Sequence, residues 1–394
     1  MATAGSRIRA NLVIKLGLMV IAGLFWSSQA AAITMKNLYE VRVPVKNQST
    51  NERQQSIREA FGVLLVRLTG NEGINTMDQV LALSEKAEQY VRQFRYEQEP
   101  LPLLDVYRRM EAERLAENQA EPSMLPNMRE PLFAGDETRQ ILSVVFDENA
   151  VNELIWSNRL PFWGKGRPAA IVWLVIQDEH ERFLLDANQP SVFLEILRTE
   201  ARQRGIPLVF PLQDLQDQIA ISAGDVWGNF EQTIRKASER YETETILTGR
   251  LMRDPLGQWR SRWSVLRADD RVDYELEHDD MAFAIAEGVR SLANDLATRY
   301  AHVTTGEEKD ESFIVHIADV KGVSDYHRAT SHVESLSAVA SSQVSQVSSD
   351  KITLRLHLRG SRQSLEQAVK LGGKLVAQNT TEADARELFF RLQP

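Results

Sequence analysis

The stretch Ile171-Val-Trp-Leu-Val-Ile176 is uninterruptedly apolar, as a strand covered on both faces must be. Downstream, Ser191 stands where it can cap a helix carrying Phe193, Ile196, Leu197 and Ala201, which Arg202, Arg204 and Gly205 close. A second strand, Ile206–Phe210, completes a β-α-β unit whose two strands should run parallel. Asp225 reads as the cap of another helix, with Val226, Phe230, Ile234, Ala237 and Tyr241 in one stripe, and Ile246–Leu251 as the next strand. Trp259–Leu266 and Arg271–Glu277 alternate strictly, which predicts an antiparallel pair with Arg260 and Arg262 set against Asp273, Glu275 and Glu277. A helix over Met281–Ala301 follows. Residues 160–303 are therefore expected to form a three-layer α/β domain with a mixed sheet.

The flanks read differently. Residues 33–159 open with a strand, Tyr39–Val45, and a helix whose Ser49 and Glu52 have capping-box spacing. Ile57, Ala60, Phe61, Leu64 and Leu68 fall on one face of that helix, and Gly70 stops it. A short helix around Met77–Lys86 and a strand at Tyr90–Glu97 come next. Residues 98–138 hold five of the thirteen prolines and suggest a surface insert with one exposed helix, Leu104–Asn118. A strand at Gln140–Asp147 and a helix at Glu148–Asn158 complete a β-α-β-β-α skeleton. Residues 304–312 form a polar linker. Beyond it, 313–394 reads β-α-β-β-α-β, the ferredoxin-like plan, with a tail helix at Glu382–Leu392. The whole is an α/β and α+β protein, a central three-layer domain between two ferredoxin-like ones.

Residues 1–32 have the build of a secretory signal. Arg7, Arg9 and Lys15 precede an apolar core, Leu16–Trp26, and Ala30-Ala31-Ala32 offers cleavage after Ala32. An uncleaved signal anchor is the alternative, and the only membrane contact this sequence suggests. The eleven-residue core is short against the ~20 residues that span a bilayer. Without the three charges of this segment, 43 basic residues stand against 55 acidic ones, a net −12. That balance argues against nucleic acid as a partner. The chain has no cysteine, so it forms no disulfide, thiolate nucleophile or cysteine-ligated metal site, and this suits an oxidising compartment. Export to the periplasm of a Gram-negative bacterium is the expectation.

Chemistry-bearing motifs are absent: no phosphate loop, GxGxxG, HExxH, GxSxG or EF-hand loop occurs. Ser348 and Lys351 have SxxK spacing but lead into a strand. The seven histidines are dispersed, and the close pair, His327 and His332, would stand about 140° apart on a helix. No metal or cofactor is expected. Asp269-Asp270 and Asp279-Asp280 read as turn and cap residues. The segment Leu160-Pro-Phe-Trp-Gly-Lys-Gly-Arg-Pro168 is a shaped loop bearing Trp163, Lys165 and Arg167. It is either an interaction hot spot or a plug between the first two domains.

Several stretches resemble an exported Gram-negative family known as domain of unknown function 2066. They are Tyr39-Glu-Val-Arg-Val-Pro-Val45, Leu65-Val-Arg-Leu-Thr-Gly70, Pro161-Phe-Trp-Gly164 with Arg167-Pro168, Ala170-Ile-Val-Trp-Leu-Val175 and Ile246-Leu-Thr-Gly-Arg250. The resemblance implies export and this domain order, and supplies no catalytic residues. The expected function is a non-enzymatic adaptor binding an envelope protein. The alternatives are a hydrolase using an unrecognised carboxylate site and a cell-wall glycan binder using Trp156, Trp163 and Trp227.

Overall fold

The computed structural model describes residues 33–34, 37–116, 137–177, 182–254, 257–268, 270–303, 312–336, 338–359, 361–378 and 386–393. The signal segment, most of the linker and residues 117–136 of the insert lie outside that set. In chain order, β1 (Ile33–Thr34) pairs with a strand of the central region. β2 (Glu40–Pro44), α1 (Thr50–Thr69), α2 (Asp78–Ser84), β3 (Val91–Pro100), α3 (Leu103–Ala116), β4 (Thr138–Phe146) and α4 (Glu148–Ser157) form the first region. Its sheet has the order β2-β4-β3. β4 is antiparallel to both neighbours, so α1 joins two parallel strands with a third between them. Ser49 Oγ caps α1, but Glu52 accepts from the Lys46 N–H instead of returning the bond to Ser49. Gly70 ends the helix at φ 71°.

The central region follows: β5 (Pro161–Phe162), β6 (Gly166–Arg167), β7 (Ala170–Gln177), β8 (Arg182–Leu184), α5 (Val192–Arg204) and β9 (Leu208–Val209). Three short helices come next, α6 (Leu215–Ala220), α7 (Ala223–Trp227) and α8 (Glu231–Ser238), then β10 (Thr245–Arg253), β11 (Trp259–Leu266), β12 (Arg271–His278), α9 (Met281–Tyr300) and β13 (His302–Val303). The apolar run is explained by its two faces. Ala170, Val172, Leu174 and Ile176 pack with α5 and α9, while Ile171, Trp173 and Val175 pack with Ile221, Val226, Ile234 and Ala237. The sheet is mixed, in the order β12-β11-β10-β7-β8, with β9 and β10 both parallel to β7. Trp263 fills a slot between sheet and helix. A Cβ on Gly249 or Gly288 would come within 2.3 or 2.2 Å of its ring, so only glycine permits this approach. The single helix expected from Asp225 to Tyr241 is broken instead. Ser222 forms the capping box with Asp225, the chain turns at Asn229 (φ 56°), and Phe230 leaves the apolar stripe for solvent.

The last region contains β14 (Ser312–Ala318), α10 (Val323–Ser335), β15 (Val339–Val347), β16 (Lys351–Leu358), α11 (Arg362–Gly372), β17 (Leu375–Ala377) and β18 (Glu387–Leu392). Its order is β15-β16-β14-β18-β17. Both expected β-α-β crossovers are present, with β18 added between β14 and β17 and parallel to β14. Residues 387–392 are thus a strand and not a tail helix. Leu388, Phe390 and Leu392 are buried and alternate with more exposed neighbours, a period of two that a helix cannot use. The insert also differs from expectation. α3 is no exposed appendage, since Val106 and Tyr107 are buried and Tyr107 joins the core under α5 and α9.

Candidate functional site

The loop residues Trp163 and Arg167 are not presented to a partner: both are buried, Arg167 completely. Arg167 sits where the C-terminal ends of α1 and α5 converge. Each of its five N–H groups meets a main-chain carbonyl. Nε donates to Gly164 O (3.1 Å), Nη1 to Arg204 O (3.1 Å) and Gly205 O (3.2 Å), and Nη2 to Arg67 O and Trp163 O (2.7 Å each). Helix C-termini leave carbonyls unpaired and carry partial negative charge, so two of them together can hold a cation with no carboxylate. The guanidinium also lies 4.1 Å from the centre of the Trp163 ring. Arg67 donates to Leu38 O and Glu40 O (2.8 Å each), and Arg204 reaches Glu72, Gly70 O and Asn294 Oδ1. Burial pulls Arg167 down to about 9 and Arg67 to about 10, leaving both cationic at neutral pH. Gly205, at φ 66°, is fixed by this crowding, since a Cβ there would lie 2.7 Å from Arg67 Cγ. The loop is therefore a plug that joins the first two regions. Lys165 alone reaches the surface, paired with Glu148 at 2.6 Å.

A cleft of about 630 Å³ lies between α3, α5 and α9. Most of its carboxylates have structural partners. Glu195 accepts from the Leu103 and Leu104 N–H groups at the start of α3 (2.9 and 3.2 Å). Asp280 caps α9 and pairs with Arg108 at 2.7 Å. Glu99 holds Arg139 through two bonds (3.0 and 2.8 Å). Glu200 is different: burial raises its carboxyl above the ordinary range, against the pull of Arg290, 3.8 Å away, and of Arg204. Among the described residues no second carboxyl stands free beside Glu200 to complete an acid–base pair.

Of the tryptophans suggested for glycan stacking, one is buried and two, Trp156 and Trp227, are half-buried with an arginine near the ring. Trp163 is buried, Arg359 lies 3.7 Å from the Trp156 ring centre, and Arg182 lies 4.1 Å from that of Trp227. Ser348 and Lys351 close the β15–β16 turn through a main-chain bond of 2.8 Å. Among the described residues, no three His, Asp or Glu side chains gather as a metal site. One apolar stretch stands in solvent: Leu215 and Ile219 are 72% and 78% exposed, on a segment held by buried Asp217 with Arg240 and Tyr241.

The remaining feature is an edge. Among the described residues β15 has one neighbour, β16, and its nine residues, VASSQVSQV, include no proline and no charge. Other long edge strands of the described residues are guarded: β2 ends in Pro44, β3 carries two arginines, two glutamates and Pro100, and β12 carries Arg271, Asp273, Glu275 and Glu277. The Arg359 N–H donates to Ala338 O (2.9 Å) and the Ser348 N–H to Lys351 O (2.8 Å). Alternate residues of β16 therefore face β15, and the register turns the main-chain groups of Ser342, Val344 and Val347 outward. The first residues of β15 also line a cavity of about 440 Å³ between the first and last regions, with Glu148, Glu153, Lys165, Glu334 and Arg359. Arg359 closes part of it by donating to Val339 O. The residue pattern predicts a strand only over its second half, Gln343–Val347. The missed signal was composition: a Ser/Gln/Val run with no gatekeeping charge.

Residues 32–164 match a family model described as a domain of unknown function (DUF8605). No curated protein sequence matches the chain. Among solved structures, the C-terminal domain of LpoB from Salmonella enterica is 13% identical over 29% of this chain and 83% of that one, with a TM-score of 0.21. An uncharacterised protein is 12% identical over 34% of this chain and 92% of that one, with a TM-score of 0.15.

Proposed function

We propose that the protein is an exported, non-enzymatic adaptor of the cell envelope that holds a partner protein by strand pairing at β15. One observation carries this reading: among the described residues β15 is the long edge strand without proline or charge, and the other long edges are guarded. The N-terminal pattern of Arg7, Arg9 and Lys15 before Leu16–Trp26, with Ala30–Ala32 after it, supports export to the periplasm. So does the resemblance to domain of unknown function 2066. Among the described residues no helix is long and apolar enough to cross a membrane.

The test is photocrosslinking in intact cells with the reactive residue at Val344, Asp273 or Lys165. The reading expects an adduct of one discrete mass from Val344 that disappears when Ser342→Pro is added, and none from the guarded edge at Asp273. An adduct from Lys165 alone, or one from Val344 indifferent to Ser342→Pro, contradicts it. A hydrolase is the second reading, favoured by the raised carboxyl of Glu200. It requires an activity in a hydrolase-substrate screen that Glu200→Gln abolishes.

A further inference from the structure

The chemistry of the partner segment can be read from what surrounds the start of β15. Antiparallel pairing is the more stable per residue and continues the β15–β16 arrangement. A strand added in that sense runs opposite to β15, so its C-terminal end arrives beside Val339 and the mouth of the 440 Å³ cavity. The cations there have partners: Lys165 pairs with Glu148, and Arg359 donates to Val339 O, lies over the Trp156 ring and feels the charge of Glu153. Glu153 of α4 and Glu334 of α10 line the same cavity and are exposed; neither has an ion pair within 4.0 Å or a hydrogen bond among the described residues, and Glu153 is drawn only at longer range to Arg359. Three carboxylates, Glu148, Glu153 and Glu334, face two cations, Lys165 and Arg359, so the net charge at this end of the strand is negative.

Resting on the strand-pairing reading above, we infer that the occupant of β15 is an extended segment of another protein, added antiparallel, whose C-terminal end carries lysine or arginine against Glu153 and Glu334. A second copy of this chain fits less well. Antiparallel self-pairing centred on Val344 brings the other copy's 348–351 turn to the start of β15, where Asp350 and Lys351 cancel and offer the glutamates no net positive charge.

Binding of three fluorescent ten-residue peptides of Thr, Val and Ser, ending in Lys-Lys, Gln-Gln or Glu-Glu amide, to the purified protein tests this. The Lys-Lys peptide should bind about tenfold tighter than the Glu-Glu peptide at low salt, a preference that fades as salt rises. Glu153→Gln with Glu334→Gln should level the three affinities, leaving the Gln-Gln value unchanged. Ser342→Pro, whose lost N–H points away from β16, should abolish all binding without lowering the melting temperature. Val344→Pro replaces it if that variant folds poorly. Binding that is lost in the proline variant but shows no charge preference overturns the basic-end inference and leaves strand pairing standing. If no peptide binds, or the proline variant binds as well as the wild type, strand pairing falls with it. A dimer in sedimentation that Ser342→Pro dissolves overturns the foreign segment in favour of a second copy.

Discussion

The joint around Arg167 and the edge at β15 are opposite solutions to the same accounting of main-chain hydrogen bonds. At the joint, the orphan carbonyls of two helix ends are gathered and given to one guanidinium, so no donor is left over. At the edge, Ser342, Val344 and Val347 turn their main-chain groups to solvent, and no charge or proline discourages another strand. Water can satisfy an exposed edge but not a buried helix end. The difference teaches where the molecule is closed and where it remains open to a partner.

Breaking the joint should have the largest effect. Arg167→Leu leaves five buried carbonyls without donors and beside Arg67 and Arg204; a loss of about 3–5 kcal/mol is expected, seen as a fall in the calorimetric melting temperature. The second effect separates the two ends of the chain by pH. His332 is buried in the last region, and burial first, then Lys374, lowers it to about 4. The unfolded chain takes up this proton near pH 6.5 and the folded chain only near 4. Stability should therefore fall as pH drops through that window, by on the order of 3 kcal/mol, and His332→Gln should flatten the curve. The arginine joint should be indifferent to the same titration. A third, smaller effect is expected at the contact between the first and last regions. Arg359→Leu removes the cation over Trp156 and the bond to Val339 O, at about 1–2 kcal/mol in denaturant titration. The smallest belongs to the edge itself. Ser342→Pro should change stability by less than about 0.5 kcal/mol while removing partner capture.

Much of this architecture was legible in the residues. The two-faced burial of Ile171–Ile176, the caps at Ser49 and Ser191, and the charge ladder of Arg260 with Glu277 (2.9 Å) and Arg262 with Glu275 (2.7 Å) all follow from spacing. Where the sequence misled, a long-range contact or an unforeseen turn had overridden the local pattern. The charged stretch of α3 reads as a solvated helix, yet Glu195, ninety-odd residues away, caps its start and fixes Tyr107 in a core. Phe230 has helical spacing, but the turn at Asn229 takes it out of the stripe. Glu387–Leu392 carries a period of two over only six residues, too few to decide the element until β14 offers it a ladder. The candidate site was the least legible part. An aromatic residue among cations on a glycine loop draws the eye to Trp163. An edge strand is defined by the neighbour it lacks, which only the folded sheet reveals.

Amide hydrogen exchange along Val339–Val347, with and without the Lys-Lys peptide, tests the open edge most directly. The account predicts that the Ser342, Val344 and Val347 amides exchange fast in the free protein and become protected on binding, with the guarded β12 unchanged. Slow exchange of these amides in the free protein, or protection that appears in the α3–α5–α9 cleft or around Leu215 and Ile219 instead, would contradict it.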